Sequence, residues 1–226
     1  MEIKYLGHAS FLIKTKTAKV ITDPYDSEMV GLKFPKVEAD IITVSHHHRD
    51  HDEVDAVSLP ATGAAPLIVD MPGEFEKMGV RIFGFKSFHD DKKGEERGEN
   101  ILYKIEAEGV SVLHCGDLGY VPEDSFLDSI GDVDILLVPT GGFYTIDSSQ
   151  ASDLVKKIEP SIVIPMHYLD AANARASAAR QKNFGQLAPA EEFTKKFGVE
   201  KPIALPKLVY KKEEVEEEMK VVVLEI

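Results

Sequence analysis

The sequence predicts an α+β fold in which two mixed β-sheets pack face to face and helices cover both outer faces. Short apolar segments separated by turn residues fill the first half of the chain, and strand and helix patterns alternate in the second half. The length of 226 residues suits one domain with a substantial core. Residues 1–226 are therefore expected to form a single domain.

Six strands and a hairpin account for the first half. Aliphatic, β-branched and aromatic residues are concentrated in each segment, and glycine, proline or polar residues separate the segments. The predicted strands are Glu2–Leu6, Ser10–Lys14, Lys19–Thr22, Ile41–Val44, Leu67–Val69 and Val80–Phe88. After them, Ile101–Glu106 and Val110–His114 flank a glycine-bearing turn, a pattern that indicates a hairpin.

The second half alternates buried strands with helices. Its predicted strands are Ile135–Val138, Ile162–Pro165 and Lys220–Glu225. Its predicted helices run from a cap at Ser148 or Ser149 through Ile158, and from Pro189 to Gly198. Three polar segments are harder to assign: a loop at His89–Asn100, a helix within Ala171–Gln186 and a solvated turn at Lys211–Glu218.

The composition excludes several classes of partner. Lys and Arg number 26 against 39 Asp and Glu, and the formal net charge of −13 should repel nucleic acid and anionic membranes. The single cysteine, Cys115, excludes an intramolecular disulfide, and no apolar run approaches the roughly 18 residues of a membrane span. We expect a cytoplasmic protein without nucleic-acid or membrane partners, and a homo-oligomer stays an open alternative.

The run Ser45-His46-His47-His48-Arg49-Asp50-His51 holds half of the eight histidines. It follows an apolar strand segment and precedes residues 52–57, which are expected to begin a helix. Neutral imidazole is the commonest metal ligand in proteins, and imidazole with carboxylate but no thiolate suits Zn, Mn, Fe or Ni. The run therefore predicts a metal site on a loop that leaves a strand end, and the alternative is a solvated polar loop.

The stretch His46-x-His48-x-Asp50-His51 resembles the signature of the metallo-β-lactamase-fold hydrolases. Further residues come in that family's order along nearly the whole chain: Asp23, His89, Asp117 and His167. The opening Gly7-His8-Ala9-Ser10-Phe11 is similar to the subgroup of ascorbate-6-phosphate lactonase and its uncharacterised metal-dependent hydrolase relatives. The resemblance implies an αββα sandwich and a metal-dependent hydrolase.

The same resemblance implies a set of site residues and two divalent metal ions. Zn or Mn is the preferred metal, and Fe or Ni is the alternative. One ion would take His46, His48 and His89, the other Asp50, His51 and His167, with Asp117 shared between them. Open coordination positions would hold a hydroxide that attacks the substrate. The expected catalytic residues are Asp50 and Asp117 from this set, and His8, which the turn after the first strand could bring to the site. Two divalent ions offset by two carboxylates and hydroxide leave a local charge of about +1, which favours a small anionic ester, lactone or phosphoester.

Other histidines leave alternatives open. His89 is preferred to His114 as a ligand because His89 ends a separate strand, whereas His114 lies close before Asp117. His47 is expected to point away from its neighbours, since alternate residues of an extended segment face opposite sides. His8 either contacts substrate or donates a proton at the rim of the site, or it is a capping or core histidine.

Roles for several other polar residues are also expected. Asp23 should orient the metal loop by accepting hydrogen bonds. Asp90 and Asp91 are expected to be exposed, with assistance in proton transfer as the alternative. Tyr144 is expected either on a substrate loop or in the core. Arg175, Arg180 and Lys182 either contact an anionic substrate or form a solvated helix face, which is preferred for them.

Three rival functions follow from the same pattern. A nuclease on this fold needs a basic track, and none is visible. A diiron oxygen reductase has Glu where this chain has His48, and usually carries a flavin domain for which this chain has no room. A non-catalytic metal-binding protein would not require the complete set of ligand residues.

Overall fold

The computed structural model describes residues 1–170, 178–212 and 218–226, and its first sheet is formed mainly by the N-terminal third of the chain. Its strands are β1 (Glu2–Gly7), β2 (Ser10–Lys14), β3 (Lys19–Thr22), β4 (Ile41–Thr43), β5 (Leu67–Val69) and β12 (Leu208–Val209). They lie in the order β12-β1-β2-β3-β4-β5. β1, β2 and β3 pair antiparallel, whereas β4 and β5 continue the sheet in parallel with β3.

The second sheet is built from the middle and the end of the chain. Its strands are β6 (Gly73–Lys77), β7 (Val80–Phe88), β8 (Glu99–Ala107), β9 (Val110–His114), β10 (Ile135–Pro139), β11 (Ile162–Met166) and β13 (Lys220–Val221). They lie in the order β13-β11-β10-β9-β8-β7-β6. The strands β6 to β9 form an antiparallel meander, and β9, β10, β11 and β13 are parallel.

Five α-helices and two 3-10 turns complete the described structure. The helices are α1 (Ser27–Val30), α2 (Asp124–Ile130), α3 (Ser148–Ile158), α4 (Ala178–Phe184) and α5 (Ala190–Thr194), and the turns are Val54–Ala56 and Lys195–Phe197. None of the helices in the described ranges is long and apolar enough to cross a bilayer.

The two faces of the first sheet are buried against different layers because successive side chains of a strand point to opposite sides. In β2, Phe11 and Ile13 join the main core with residues of the second sheet, while Leu12 belongs to a second cluster. That second cluster includes Val30 of α1 and Phe184 of α4. Helices α3 and α5 pack on the other sheet. The predicted α+β sandwich of two sheets with outer helices is confirmed.

Six strands deliver their carboxyl ends to one edge of this sandwich. β1 and β3 both run antiparallel to β2, and β4 is parallel to β3, so the ends of β1, β3 and β4 lie together. In the other sheet, β7 and β9 both run antiparallel to β8, and β11 has the direction of β9 through β10. Segments that follow these six strands therefore meet at one place.

Several local expectations are corrected by the structure. Helix α3 is capped by Asp147 rather than Ser148 or Ser149, because the Asp147 carboxylate accepts hydrogen bonds from the amides of Ser149 and Gln150. The segment 52–57 forms only a 3-10 turn. The last strand is shorter than expected, and beyond it Leu224 forms an isolated bridge with Leu205.

Four elements, α1, α2, β6 and β12, had no counterpart in the expectations. The segment Ala171–Gln186 is described only from residue 178, where α4 forms, and the expected turn Lys211–Glu218 lies largely outside the described residues. Apart from β6, β12 and the shorter β13, the strands agree with their predicted positions to within one or two residues.

Candidate metal centre

The strand ends bring the predicted ligand side chains together in two groups. Potential ligand atoms of His46, His48 and His89 lie within 4.8 Å of one another, as do those of Asp50, His51, His167 and His8. His46 to His51 follow β4, His89 follows β7, and His167 follows β11. All of these side chains are buried except His48, which is exposed.

Asp117 lies between the two groups. It follows β9, and its Oδ2 is 3.2 Å from Nε2 of His89 in one group. The same oxygen is 3.3 Å from Nε2 of His51 and 3.2 Å from Nε2 of His167 in the other. One carboxylate therefore contacts both groups, which is the position that a shared ligand would need.

Asp23 and Ser45 fix the loop that carries the histidine run. Asp23 Oδ1 accepts the amide of Ser45 at 2.8 Å, and Oδ2 accepts the Ser45 hydroxyl at 2.6 Å and His51 Nδ1–H at 2.8 Å. The Ser45 hydroxyl oxygen is also 3.0 Å from His46 Nδ1. Both imidazoles thus turn Nε2 toward the centre, and the orienting contacts expected of Asp23 are present.

Two glycines allow the Asp117 loop to approach its neighbours. A Cβ on Gly116, whose φ is 54°, would lie 2.3 Å from Asn100 Oδ1 and 2.6 Å from the Ser45 Cβ. A Cβ on Gly119 would lie 2.3 Å from the backbone nitrogen of Asp90. Asn100 uses the close contact, because its Oδ1 accepts the amide of Asp117 at 2.9 Å. Side chains at the two glycines would push Asp117 out of place.

The backbone is strained at three residues of the site. His8, Asp23 and His167 have φ values of 59°, 41° and 51°, in the left-handed region that non-glycine residues rarely adopt. Such strain persists only where the surrounding contacts over-determine the conformation, and it is concentrated at functional sites. Each of the three residues follows directly from the end of a central strand.

Several buried nitrogen and oxygen atoms of the centre lack hydrogen-bond partners and are suitable ligands for a metal cation. Within the described ranges, His46 Nε2 and Asp117 Oδ1 are buried without a hydrogen-bond partner, and so are Nε2 of His51 and of His167. A buried polar atom without a partner is costly. Imidazole nitrogens and carboxylate oxygens are ligands of Zn, Mn and Fe, so a metal ion would satisfy these atoms together.

The charges of the centre also favour a cation. Burial opposes ionisation of Asp117, but the charges of His167 and His51 outweigh it and hold the pKa of Asp117 well below its usual range. Burial likewise lowers the pKa of His51, yet the charges of Asp117 and Asp50 reverse this and raise that pKa well above its ordinary value. The carboxylates thus favour a positive charge beside them. Burial lowers the pKa of His46 well below its usual range and so favours the neutral imidazole that a metal ligand requires.

A cavity of about 530 Å³ opens over the centre. Its lining includes His48, Asp50 and His89 from the two groups, and Asp117 between them. Three positively charged side chains surround these residues: Arg49, Arg97 and Lys182. Met29, Tyr144 and Phe184 contribute an apolar wall. The arrangement combines a metal-competent floor with cationic and apolar surroundings.

The other histidines occupy distinct positions. His47 is exposed, with its Nδ1 3.6 Å from a carboxylate oxygen of Asp52, and it belongs to neither group. His114 is buried and bonds through Nε2 to the Ala9 carbonyl at 2.7 Å, so it makes a hydrogen bond within the core and belongs to neither group. The rim position considered for His8 is wrong, because His8 is fully buried and does not line the cavity.

Two further expectations are corrected. Asp90 is buried rather than exposed, since its carboxylate accepts four backbone N–H groups from the loop that follows it. Arg180 is fully buried rather than on a solvated face, because α4 packs that side chain against His8 and Phe184. Arg175 lies outside the described residues.

Tyr144 and Lys182 line the cavity, as a substrate role would require, and the Tyr144 hydroxyl donates to the Asn183 carbonyl at 2.9 Å.

Four residues of the site were not predicted from the sequence: Ser45, Asn100, Arg49 and Arg97. Ser45 and Arg49 lie within or next to the metal-binding pattern and could have been suspected from it. No sequence signal pointed to Asn100.

The fold and the site together define a class, the αββα proteins with a histidine- and aspartate-rich centre at one edge of the sandwich. Residues 2–167 match the family model of the beta-lactamase superfamily domain. A UPF0173 metal-dependent hydrolase of Thermoplasma volcanium is 30% identical over 228 residues, covering 91% of this chain and 100% of that protein. The chain therefore belongs to the beta-lactamase superfamily, among the metal-dependent hydrolases.

Solved structures agree with this assignment. A Thermotoga maritima protein assigned to the Zn-dependent hydrolases of the metallo-beta-lactamase superfamily matches with a TM-score of 0.75 and 31% identity. The match covers 99% of this chain and 97% of that chain. A metallo hydrolase from Ignicoccus hospitalis shares the fold, with a TM-score of 0.64 and 19% identity over 93% of this chain and 99% of that chain.

Proposed function

We propose that the protein hydrolyses a small anionic ester, lactone or phosphoester at a centre of two divalent metal ions. His46, His48 and His89 would hold one ion, Asp50, His51 and His167 the other, and Asp117 would contact both. The observation that carries the proposal is the position of Asp117 Oδ2, within 3.3 Å of imidazole nitrogens from both groups. Zn or Mn fits these ligands first, and Fe or Ni is compatible with them.

The chemistry that such ions supply is a water molecule whose pKa falls from 15.7 toward about 7, which makes a nucleophile available at neutral pH. The chain's own residues prepare the centre for the ions. Asp23 accepts the Nδ1 proton of His51 and leaves the Nε2 lone pair facing inward. Ser45 donates its hydroxyl proton to Asp23, so its oxygen can accept the Nδ1 proton of His46 in the same way.

The cavity supports the choice of substrate class. Arg97 and Lys182 add positive charge around the metal groups, which suits a substrate with an anionic group, whereas the Arg49 guanidinium is paired with Asp26. Tyr144 and Phe184 offer apolar contact to the rest of a small molecule. The formal net charge of −13 on the chain opposes long polyanions such as nucleic acid.

Metal analysis and a substrate panel test the proposal. Protein purified without chelator is expected to contain about two divalent ions per chain and to hydrolyse a model phosphodiester or a phosphorylated lactone. Chelation should abolish the hydrolysis, and Zn²⁺ or Mn²⁺ should restore it. Cleavage of single-stranded RNA in the absence of any small-molecule turnover would support a nuclease instead. Metal binding without turnover of any substrate in the panel would support a non-catalytic metal-binding protein.

A further inference from the structure

A row of three buried polar side chains, Arg180, His8 and Asp50, leads into the group that contains His51 and His167. Arg180 Nη1 is 3.5 Å from His8 Nδ1, and His8 Nε2 is 3.0 Å from Asp50 Oδ2. Arg180 and His8 are fully buried, and Asp50 is 9% exposed. The three residues come from α4, the turn between β1 and β2, and the histidine-rich loop, so they meet only in the folded protein.

The donor and acceptor properties of these groups determine the direction of the hydrogen bonds along the row. A guanidinium group has N–H donors and no acceptor, so His8 Nδ1 must accept the hydrogen bond from Arg180. A neutral His8 that accepts at Nδ1 carries its proton at Nε2, and this proton points to the Asp50 carboxylate. The same Nε2 cannot donate to Asp50 and bind a metal ion.

Both donors are held firmly in place. The carbonyl of His8 accepts the Tyr5 hydroxyl and the His167 amide, each at 2.7 Å. The His8 ring packs 4.1 Å from the ring of His167, measured between centroids. Arg180 donates through Nη2 to the Tyr168 carbonyl at 3.1 Å. The backbone of His8 is therefore fixed by hydrogen bonds from two strand ends, and its imidazole is packed against the ring of His167.

We propose that Arg180 and His8 are positioning residues, which form a buried donor relay that holds Asp50 in the orientation for the second metal ion. His8 is then neither a metal ligand nor a group that touches substrate. The inference rests on the proposed two-ion centre and deepens it. The relay also links the cavity wall to the centre, because α4 carries both Arg180 and the lining residues Lys182 and Phe184.

Zn²⁺ titration of His8 variants, with a competing chelator, tests the relay. The His8→Leu variant should bind the second Zn²⁺ about 10–100-fold more weakly and the first Zn²⁺ normally, as loss of a partner behind a metal ligand predicts. The His8→Gln variant should retain most of the affinity, since an amide can accept from Arg180 and donate to Asp50. If His8 were a ligand, His8→Gln would lose the second Zn²⁺ as His8→Leu does, and the relay would be refuted.

His114→Gln is the matched control, because His114 is also buried and belongs to neither group. Its ring nitrogens bond to the backbone of Ala9 and Gly116, and an amide side chain can likewise donate to the one and accept from the other. This variant should bind both Zn²⁺ ions with unchanged affinity. A loss in this control as large as that in His8→Leu would assign the effect to general damage of the core and overturn the relay. Nitrogen NMR of the zinc-loaded wild type gives a readout without mutation. It should show His8 protonated at Nε2 only, and protonation at Nδ1 would overturn the relay.

Arg180 is tested by a double-mutant cycle on the same Zn²⁺ affinity. Arg180→Met should weaken the second Zn²⁺ about 10-fold in the wild type and have little further effect in His8→Leu, because the two residues act in series. Equal losses in both backgrounds would mean that Arg180 only packs α4. A wild type that does not bind two Zn²⁺ ions would refute the proposed centre. A wild type that binds two, with His8→Leu binding them equally well, would refute the relay alone.

Discussion

Replacing Asp90 with Asn should destabilise the protein measurably at neutral pH. Its carboxylate accepts the amides of Lys92 and Gly94 at Oδ1 and those of Glu96 and Arg97 at Oδ2, all at 2.8–2.9 Å. Burial opposes ionisation, but these hydrogen bonds outweigh it and lower the pKa of Asp90 from 3.8 to about 2. That difference corresponds to about 2.5 kcal/mol, and the surface position of the loop reduces it to about 1–2 kcal/mol through solvent screening.

The sign of the effect defines a pH test. A carboxyl group whose pKa is lower in the folded protein than in the unfolded chain stabilises the fold. This contribution is fully present above the unfolded pKa of about 3.9, and it is lost as the pH falls through about 2. Urea unfolding of chelator-treated wild type and Asp90→Asn should therefore differ equally at about pH 7 and pH 5, and less at about pH 3.5. The control is Asp91→Asn, since Asp91 is the exposed neighbour. If Asp91→Asn cost as much as Asp90→Asn, or the difference grew in acid, the reasoning would be wrong.

Three further predictions concern the centre and the cavity. The Asp117→Ala variant should lose both metal ions and all hydrolysis, because Oδ2 of Asp117 contacts both groups. The His47→Ala variant should be far less affected. Equal losses of bound metal and of turnover in the two variants would contradict this prediction. Arg97→Gln and Lys182→Gln should each raise KM for an anionic substrate several-fold with little change in kcat, and an unchanged KM in both would argue against anion binding there. Substrate binding should weaken only modestly with salt, since one or two charges are involved, and a steep slope with efficient RNA cleavage would indicate a nuclease.

Local signals were sufficient for most strands because each strand is a short apolar run between turn residues. The same signals placed His46, His89, Asp117 and His167 at strand ends, and parallel strands bring their carboxyl ends to one edge of a sheet. The order and chemistry of these residues were therefore readable before any tertiary contact was known. β6 was missed because three of its five residues are charged, and it is paired only through β7 at the sheet edge.

The environment of single polar residues could not be predicted in the same way. Asp90 was expected to be exposed because its neighbours are charged, but its burial depends on the path of the loop at 90–98, which wraps four amides around the carboxylate. Arg180 was expected on a solvated helix face, and its burial depends on how α4 docks on the first sheet. Neither feature has a periodic sequence signal.

The sequence by itself determined the fold class, the family and the identities of the candidate metal ligands, since these depend on apolar runs and on the order of a few side chains. Only the tertiary structure decided how those side chains are grouped, with Asp117 between two sets of histidines. It also decided the surroundings of His8, which is 172 residues from Arg180 in sequence and 3.5 Å from it in space. Contacts of this kind arise from the packing of two sheets and a helix, and no local segment encodes them.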